Sequence, residues 1–138
     1  MSLPGSVVRH LDPLDEKTAM TLLAREQVGR LAFCMHGGPH IEVVNFVVVD
    51  GDVIFRIGVS AKLAALGRGG VFALQCDRIN TGTRTGWTVT VQGPARTLSA
   101  EEVAALPIQP DPWAPGERPR VVCLTPRHIF GRVLSADE

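Results

Sequence analysis

Arg56 closes the run Asp52-Val-Ile-Phe-Arg-Ile57, and Lys62 opens Lys62-Leu-Ala-Ala-Leu-Gly67 a few residues later. The first run alternates with period two, Val53, Phe55 and Ile57 against Asp52, Ile54 and Arg56, as a half-buried strand does. The second reads as a short helix. A strand end followed by a helix start brings two cations to a place where unpaired backbone N–H groups point outward. That is anion-binding chemistry, with Arg56 as a bidentate fork for phosphate and Lys62 as a point charge. The other reading of the pair is two solvated surface cations.

The remaining reactive side chains give weaker patterns. Ser60, Ser99 and Ser135 lack the Gly-x-Ser-x-Gly setting of a nucleophile elbow. His36 and His40 are four apart, but across a Gly-Gly-Pro turn and not on one helix face, so a metal pair is not expected there. Cys34, Cys76 and Cys123 are far apart, without Cys-x-x-Cys spacing, and each sits in an apolar run; buried free thiols in a reducing cytoplasm are the expectation. Asn45 interrupts the apolar run 43–49. It either satisfies neighbouring backbone groups or contacts a cofactor. Gly67-Arg-Gly-Gly70 follows a helix and reads as a C-cap, not a phosphate cradle.

These residues need a scaffold, and 138 residues are enough for one compact domain, 1–138, with 1–10 as a loose N-terminal arm. Apolar residues make up 45% and charged residues 20%, a globular balance. Lys+Arg and Asp+Glu both number 14, so the bulk charge offers no attraction to nucleic acid or an anionic membrane surface. The chain has neither a run of about 20 apolar residues nor a signal-peptide start, which makes a cytoplasmic protein the expectation.

Asp12-Pro13 predicts a helix over about 13–26, with Asp12 as N-cap and proline at the first helical position. Strands are expected at 28–35, 40–49, 52–57, 70–77, 87–98, 120–124 and 128–134. Asp50-Gly51 is a tight hairpin turn, and the near-continuous apolar run 43–49 predicts burial on both faces. Gly93 inside a strand marks a bulge or a barrel corner. Ser99-Ala-Glu-Glu102 is a capping box opening a short helix to about 106. Five of the ten prolines fall in 107–119, a loop. Six or seven strands with short peripheral helices imply a mainly β, antiparallel, Greek-key-like sheet whose closure into a small barrel removes exposed edges.

The order of "VGRLAF", "VNFVVVDGDVIFR", "KLAA", "GWTVTVQGPAR" and "PWAPG" resembles the pyridoxamine 5′-phosphate oxidase-like flavin-binding split-barrel family, over about residues 11–134. It is most similar to an actinobacterial branch with nitroimidazole-reductase-like and deazaflavin (F420)-dependent members. The resemblance implies a homodimer of six-stranded split β-barrels with cofactor sites at the interface. It also implies redox chemistry on a small molecule, with FMN as cofactor and F420 as the alternative. In that pattern Arg56 and Lys62 match the phosphate-binding cations. Asn45 matches the asparagine of a "PVNY" strand, Trp87 the tryptophan of "GWS", and Arg132 a late arginine near the cofactor. No catalytic side chain is implied.

The phosphate segment departs from the family form Arg-Thr-x-x-Gly-Ser-Lys. Ile57 replaces the threonine, Ser60 the glycine and Ala61 the serine, so two hydroxyls are lost and Ser60 can replace one. At roughly 0.5–1.5 kcal/mol per neutral hydrogen bond, their loss weakens phosphate binding about fivefold to more than a hundredfold. Besides an oxidoreductase, the sequence therefore leaves open a non-enzymatic flavin or F420 carrier or sensor, and a dimer that binds no cofactor. A heme ligated by His128 or His36 is a remoter reading.

Overall fold

The computed structural model describes residues 7–58 and 70–137. Among these residues eight strands and two helices follow one another in the order β1 (Arg9–Pro13), α1 (Glu16–Ala24), β2 (Val28–Met35), β3 (Gly38–Val49), β4 (Asp52–Ile57), β5 (Val71–Asn80), β6 (Thr85–Thr97), α2 (Ala100–Ala104), β7 (Arg120–Leu124) and β8 (His128–Ala136). All pairings are antiparallel, in the order β1-β8-β6-β5-β2-β3-β4-β7, and β6 also pairs with β7. That last pairing closes β6, β5, β2, β3, β4 and β7 into a six-stranded barrel. β8 and β1 extend the sheet beyond it, so the fold is the expected split barrel with one more strand than the sequence predicts.

The extra strand begins at the end of the expected N-terminal arm, 1–10, and runs on to Pro13. Arg9 to Pro13 pair with β8, Pro13 lying opposite Arg132. Pro13 is thus a strand residue and not the first residue of α1. The helix is capped by Asp15, whose carboxylate accepts from the Thr18 backbone N–H at 2.7 Å. Asp15 does there what Asp12 was expected to do, because β1 carries the chain three residues further before the helix can begin.

Two turns set the barrel's shape. Asp50 and Gly51 have φ of 51° and 82°, the left-handed pair that a two-residue hairpin needs. At Gly93, β6 leaves β8, to which it pairs as far as Gln92, and reaches β7, to which it pairs from Ala95. An added Cβ there would lie 1.9 Å from the Thr125 carbonyl oxygen. The corner exists because two backbones touch where a side chain would otherwise stand.

The main core fills the barrel with Leu31, Phe33, Val44, Phe46, Val53, Phe55, Phe72, Leu74, Val89 and Val91, and Phe33 stacks on Phe72 at 5.4 Å. A second, smaller cluster of Ile54, Val121 and Cys123 lies on the outer side of β4 and β7, where Leu98, Val103 and Leu106 cover it. Two burial expectations are overturned. In the run 43–49 only Val44 and Phe46 are fully buried and Val43 is 69% exposed; both faces are covered only from Val47 on, where Val47 and Val49 pack on the outer cluster and Val48 on the main core. Cys34 is exposed, since its neighbours Leu31 and Phe33 take the inward positions of β2; Cys76 and Cys123 are buried as expected.

Candidate functional site

Arg56 lies on the outward face of β4, two residues beyond Ile54, where the segment after β6 folds over β4 and β7. Its Nε donates to the Pro110 carbonyl at 3.2 Å, and its Nη2 donates to Gln109 Oε1 at 3.1 Å. Gln109 in turn donates through Nε2 to the Val103 carbonyl of α2 at 2.8 Å. Both acceptors of Arg56 are neutral, and among the described residues no carboxylate pairs with it. It borders a cleft of about 440 Å³ that also takes in Thr97, Gln109 and Arg120, with no acidic residue among its described lining. Ser60 and Lys62, with the expected helix and Gly67 to Gly69 of its expected cap, fall in 59–69, outside the described residues.

Asn45 is held by the same loop. It sits one position before Phe46, which pairs with Phe55, while Arg56 sits one position after Phe55, so the two residues flank the last rung of the β3–β4 hairpin. Asn45 Oδ1 accepts from the Trp113 backbone N–H at 2.8 Å, and its Nδ2 donates to the Gln27 carbonyl at 3.3 Å. The amide therefore satisfies backbone groups, one of its two expected roles. The proline loop is stitched to the barrel through Arg56 at Gln109 and Pro110, and through Asn45 at Trp113.

Trp87 and Arg132 lie elsewhere. Trp87 pairs with Arg78 on β5 and Val133 on β8, packs against the edge of the main core, and borders a cleft of about 780 Å³ shared with Arg9, Thr83 and Ser135. Arg132 is exposed on β8 opposite Thr88, beside a groove that includes Asp12 and Phe130. Within one chain, Arg56 and Asn45 are brought together and Trp87 and Arg132 are not brought to them.

Burial raises the Cys76 thiol to about 12 and also raises that of Cys123, so neither is a ready nucleophile. Cys76 Sγ instead donates to the Val28 carbonyl at 3.2 Å. Among the described residues no three His, Cys, Asp or Glu side chains gather as metal ligands; His40 Nε2 bonds Glu42 Oε1 at 2.9 Å, and His128 stacks on Phe130. No helix among them is long and apolar enough to cross a membrane.

A profile of the pyridoxamine 5′-phosphate oxidase family matches residues 15–133, nearly the whole chain. The chain belongs to this family. An uncharacterized protein of Mycobacterium tuberculosis is 36% identical over 135 residues, covering 94% of this chain and 89% of its own. Among solved structures, a pyridoxamine 5′-phosphate oxidase-like protein of Corynebacterium glutamicum superposes with a TM-score of 0.77 at 25% identity, over 93% of this chain and all of its own. The FAD binding protein of Mycobacterium smegmatis superposes with a TM-score of 0.65 at 25% identity, over 90% of this chain and 98% of its own.

Sequence reasoning did not find Gln109, Pro110, Trp113 or Arg120 as neighbours of the candidate residues. The proline content of 107–119 signals a loop but says nothing about what the loop lies against. An arginine opening a strand, as Arg120 does, carries no signal of its own.

Proposed function

We propose that this family member binds a flavin nucleotide, FMN with F420 as the alternative, and uses it for redox chemistry on a small molecule. The observation that carries the reading is Arg56, a cation on a barrel strand that, among the described residues, meets only neutral acceptors in a cleft with no acidic lining. Such a group fits the phosphate of a nucleotide cofactor, because a charge-assisted bond to phosphate is about twice as strong as one to a neutral acceptor. Family membership supports the cofactor class, as does the FAD binding protein of M. smegmatis among its structural neighbours.

In this reading the flavin supplies hydride or electron transfer, and the protein supplies position and electrostatics. Arg56 and Lys62 hold the phosphate, with Ser60 as a hydroxyl donor beside them. Asn45 keeps the loop closed on the same side of the barrel. Trp87 offers an aromatic face for ring packing and Arg132 a balancing charge.

Because Trp87 and Arg132 stand apart from the Arg56 cleft, a single cofactor that touches both groups takes them from two protomers. A homodimer with interfacial sites satisfies this. The outer sheet row Val43, Arg30, Gln75, Thr90 and Phe130, continuous across five strands and with Val43 and Phe130 more than half exposed, offers a broad face for the second copy.

The test is an absorbance and fluorescence titration with FMN and then F420, beside the sedimentation mass of the protein. Saturable uptake of one cofactor per protomer by a dimer is expected. No uptake of either overturns the cofactor reading, and a monomeric holoprotein overturns the shared site. Turnover with a reductant then separates an enzyme from a carrier that holds cofactor without cycling it.

A further inference from the structure

We propose that Arg120 is a second cation of the Arg56 cleft, and that the two arginines together take a phosphate monoester dianion. The inference rests on the flavin nucleotide reading and assigns a residue outside the segment 56–62 to which that reading confines the phosphate.

The planar Arg56 guanidinium has two donor edges. Nε and Nη2 lie along one edge of the fork, and the protein's own Pro110 carbonyl and Gln109 side chain occupy both. An incoming anion meets the other edge, Nη1 with the second hydrogen of Nη2. That edge offers two donors and one positive charge, whereas a phosphate monoester presents three acceptor oxygens and close to two negative charges. Arg56 alone leaves such a group half neutralised, and Lys62 is the other cation that the flavin nucleotide reading assigns to it.

Arg120 offers a further charge at the same cleft. It opens β7 opposite Ile57, while Arg56 is opposite Val121, so the two arginines stand on neighbouring rungs and leave opposite faces of the strand pair. Both border the same cleft. Arg30, Arg78 and Arg96 are paired with Asp77, Glu26 and Glu102, but Arg120 is exposed and has no hydrogen-bond or ion-pair partner among the described residues. Two cations that border one cleft, with no acidic residue among its described lining, give it a positive potential that suits a dianion. Thr97, at the end of β6, borders the cleft too and supplies a hydroxyl. It stands in for one of those that Ile57 and Ala61 remove from the family's phosphate segment.

Riboflavin and FMN differ only in the phosphate, so the ratio of their affinities isolates the contribution of this cleft from that of the ring site. The wild-type protein is expected to prefer FMN, and Arg120→Ala to reduce that preference about tenfold or more, as for a lost bond to a charged group. Arg120→Lys should restore part of it. Arg127→Ala, which removes an exposed and unpartnered arginine outside the cleft, should leave it unchanged. The proposal is overturned by equal wild-type affinity for the two flavins, or by an unaltered ratio in Arg120→Ala. If the wild type binds neither flavin, the cofactor reading fails and inorganic phosphate becomes the probe: a rise in Tm with phosphate that Arg120→Ala abolishes supports the anion site, and equal responses of the two proteins overturn it. Arg120 is exposed, so the variants should fold; Arg120→Gln provides a second neutral variant with more of the side chain retained.

Discussion

Asn45 and Trp113 are 68 residues apart in sequence, yet the Asn45 Oδ1 accepts the Trp113 backbone N–H at 2.8 Å. With the Arg56 contacts to Gln109 and Pro110, this bond fixes the proline loop over the end of the β3–β4 hairpin. Asn45→Ala removes it together with the Nδ2 bond to Gln27. Both are solvent-accessible, so the cost to global stability should be about 1–2 kcal/mol, while the loop loses one of its anchors. Faster cleavage within 107–119 by a nonspecific protease, with a urea midpoint lowered by about 0.5–1 M, is the expected result. Equal cleavage rates in the two proteins would show that the Arg56 contacts alone hold the loop.

The barrel was legible because each of its strands carries a local signal. Val53, Phe55 and Ile57 do point inward, Asp50-Gly51 does turn, Gly93 does mark the corner, and Ser99 and Glu102 do cap each other. Where the expectations failed, a distant partner had decided the outcome. Pro13 looks like a helix start until β8 pairs with it, and the apolar run 43–49 looks doubly buried until one sees that Val43 faces outward.

The site was less legible than the fold. Arg56 and Asn45 were found from their place in a recurrent order of segments, and the structure puts both under one loop. Nothing local in Gln109 or Trp113 announces that they bond these residues, since the contacts span 53 and 68 positions of chain. Trp87 and Arg132 were grouped with Arg56 by resemblance alone, and one chain does not bring them to it.

Gly93→Ala tests the corner. The Cβ would meet backbone, the Thr125 carbonyl oxygen at 1.9 Å and the Arg127 nitrogen at 3.0 Å, and neither can rotate away as a side chain could. Relief requires breaking the bonds that pin this crossing, Thr125 N–H to the Pro94 carbonyl and Arg127 N–H to the Gln92 carbonyl. The substitution should cost about 3 kcal/mol or more, at the upper end of overpacking, read as a lower chemical-denaturation midpoint. A loss under about 1 kcal/mol would mean that β6 can reach β7 without the two backbones touching.

Arg96 holds the Glu102 carboxylate at about 2 through two hydrogen bonds, of 3.0 and 2.7 Å, and the Ser99 backbone N–H donates to the same group. A carboxylate depressed in the folded state stabilises it above the unfolded value of 4.5, and that contribution is lost as pH falls from there toward about 2. Glu102→Gln keeps a side-chain acceptor for Ser99 but has no proton to take up. Its denaturation midpoint should therefore fall less steeply than that of the wild type between pH 4.5 and 2. Parallel curves would assign the acid sensitivity of α2 to other carboxylates.

The three cysteines should divide by burial. A thiol-specific reagent should label Cys34 in the folded protein, and Cys76 and Cys123 only as it unfolds. The same burial gives an alkaline limb with a defined sign. Cys76 has its thiol raised from 9.0 to about 12, chiefly by desolvation and then by the charge of Glu26. Between those values the unfolded chain releases the proton and the folded one keeps it, so the unfolded state binds fewer protons and stability falls as pH rises. The contribution is fully present below pH 9 and gone above about 12. Cys76→Ala also leaves a small void next to Leu74 and Gly29 and should be less stable at neutral pH. Its midpoint should nevertheless decline less than that of the wild type between pH 9 and 11, the lower part of that window. An identical decline in both proteins would show that Cys76 can ionise where it stands, and that water reaches the sulfur between β2 and β5.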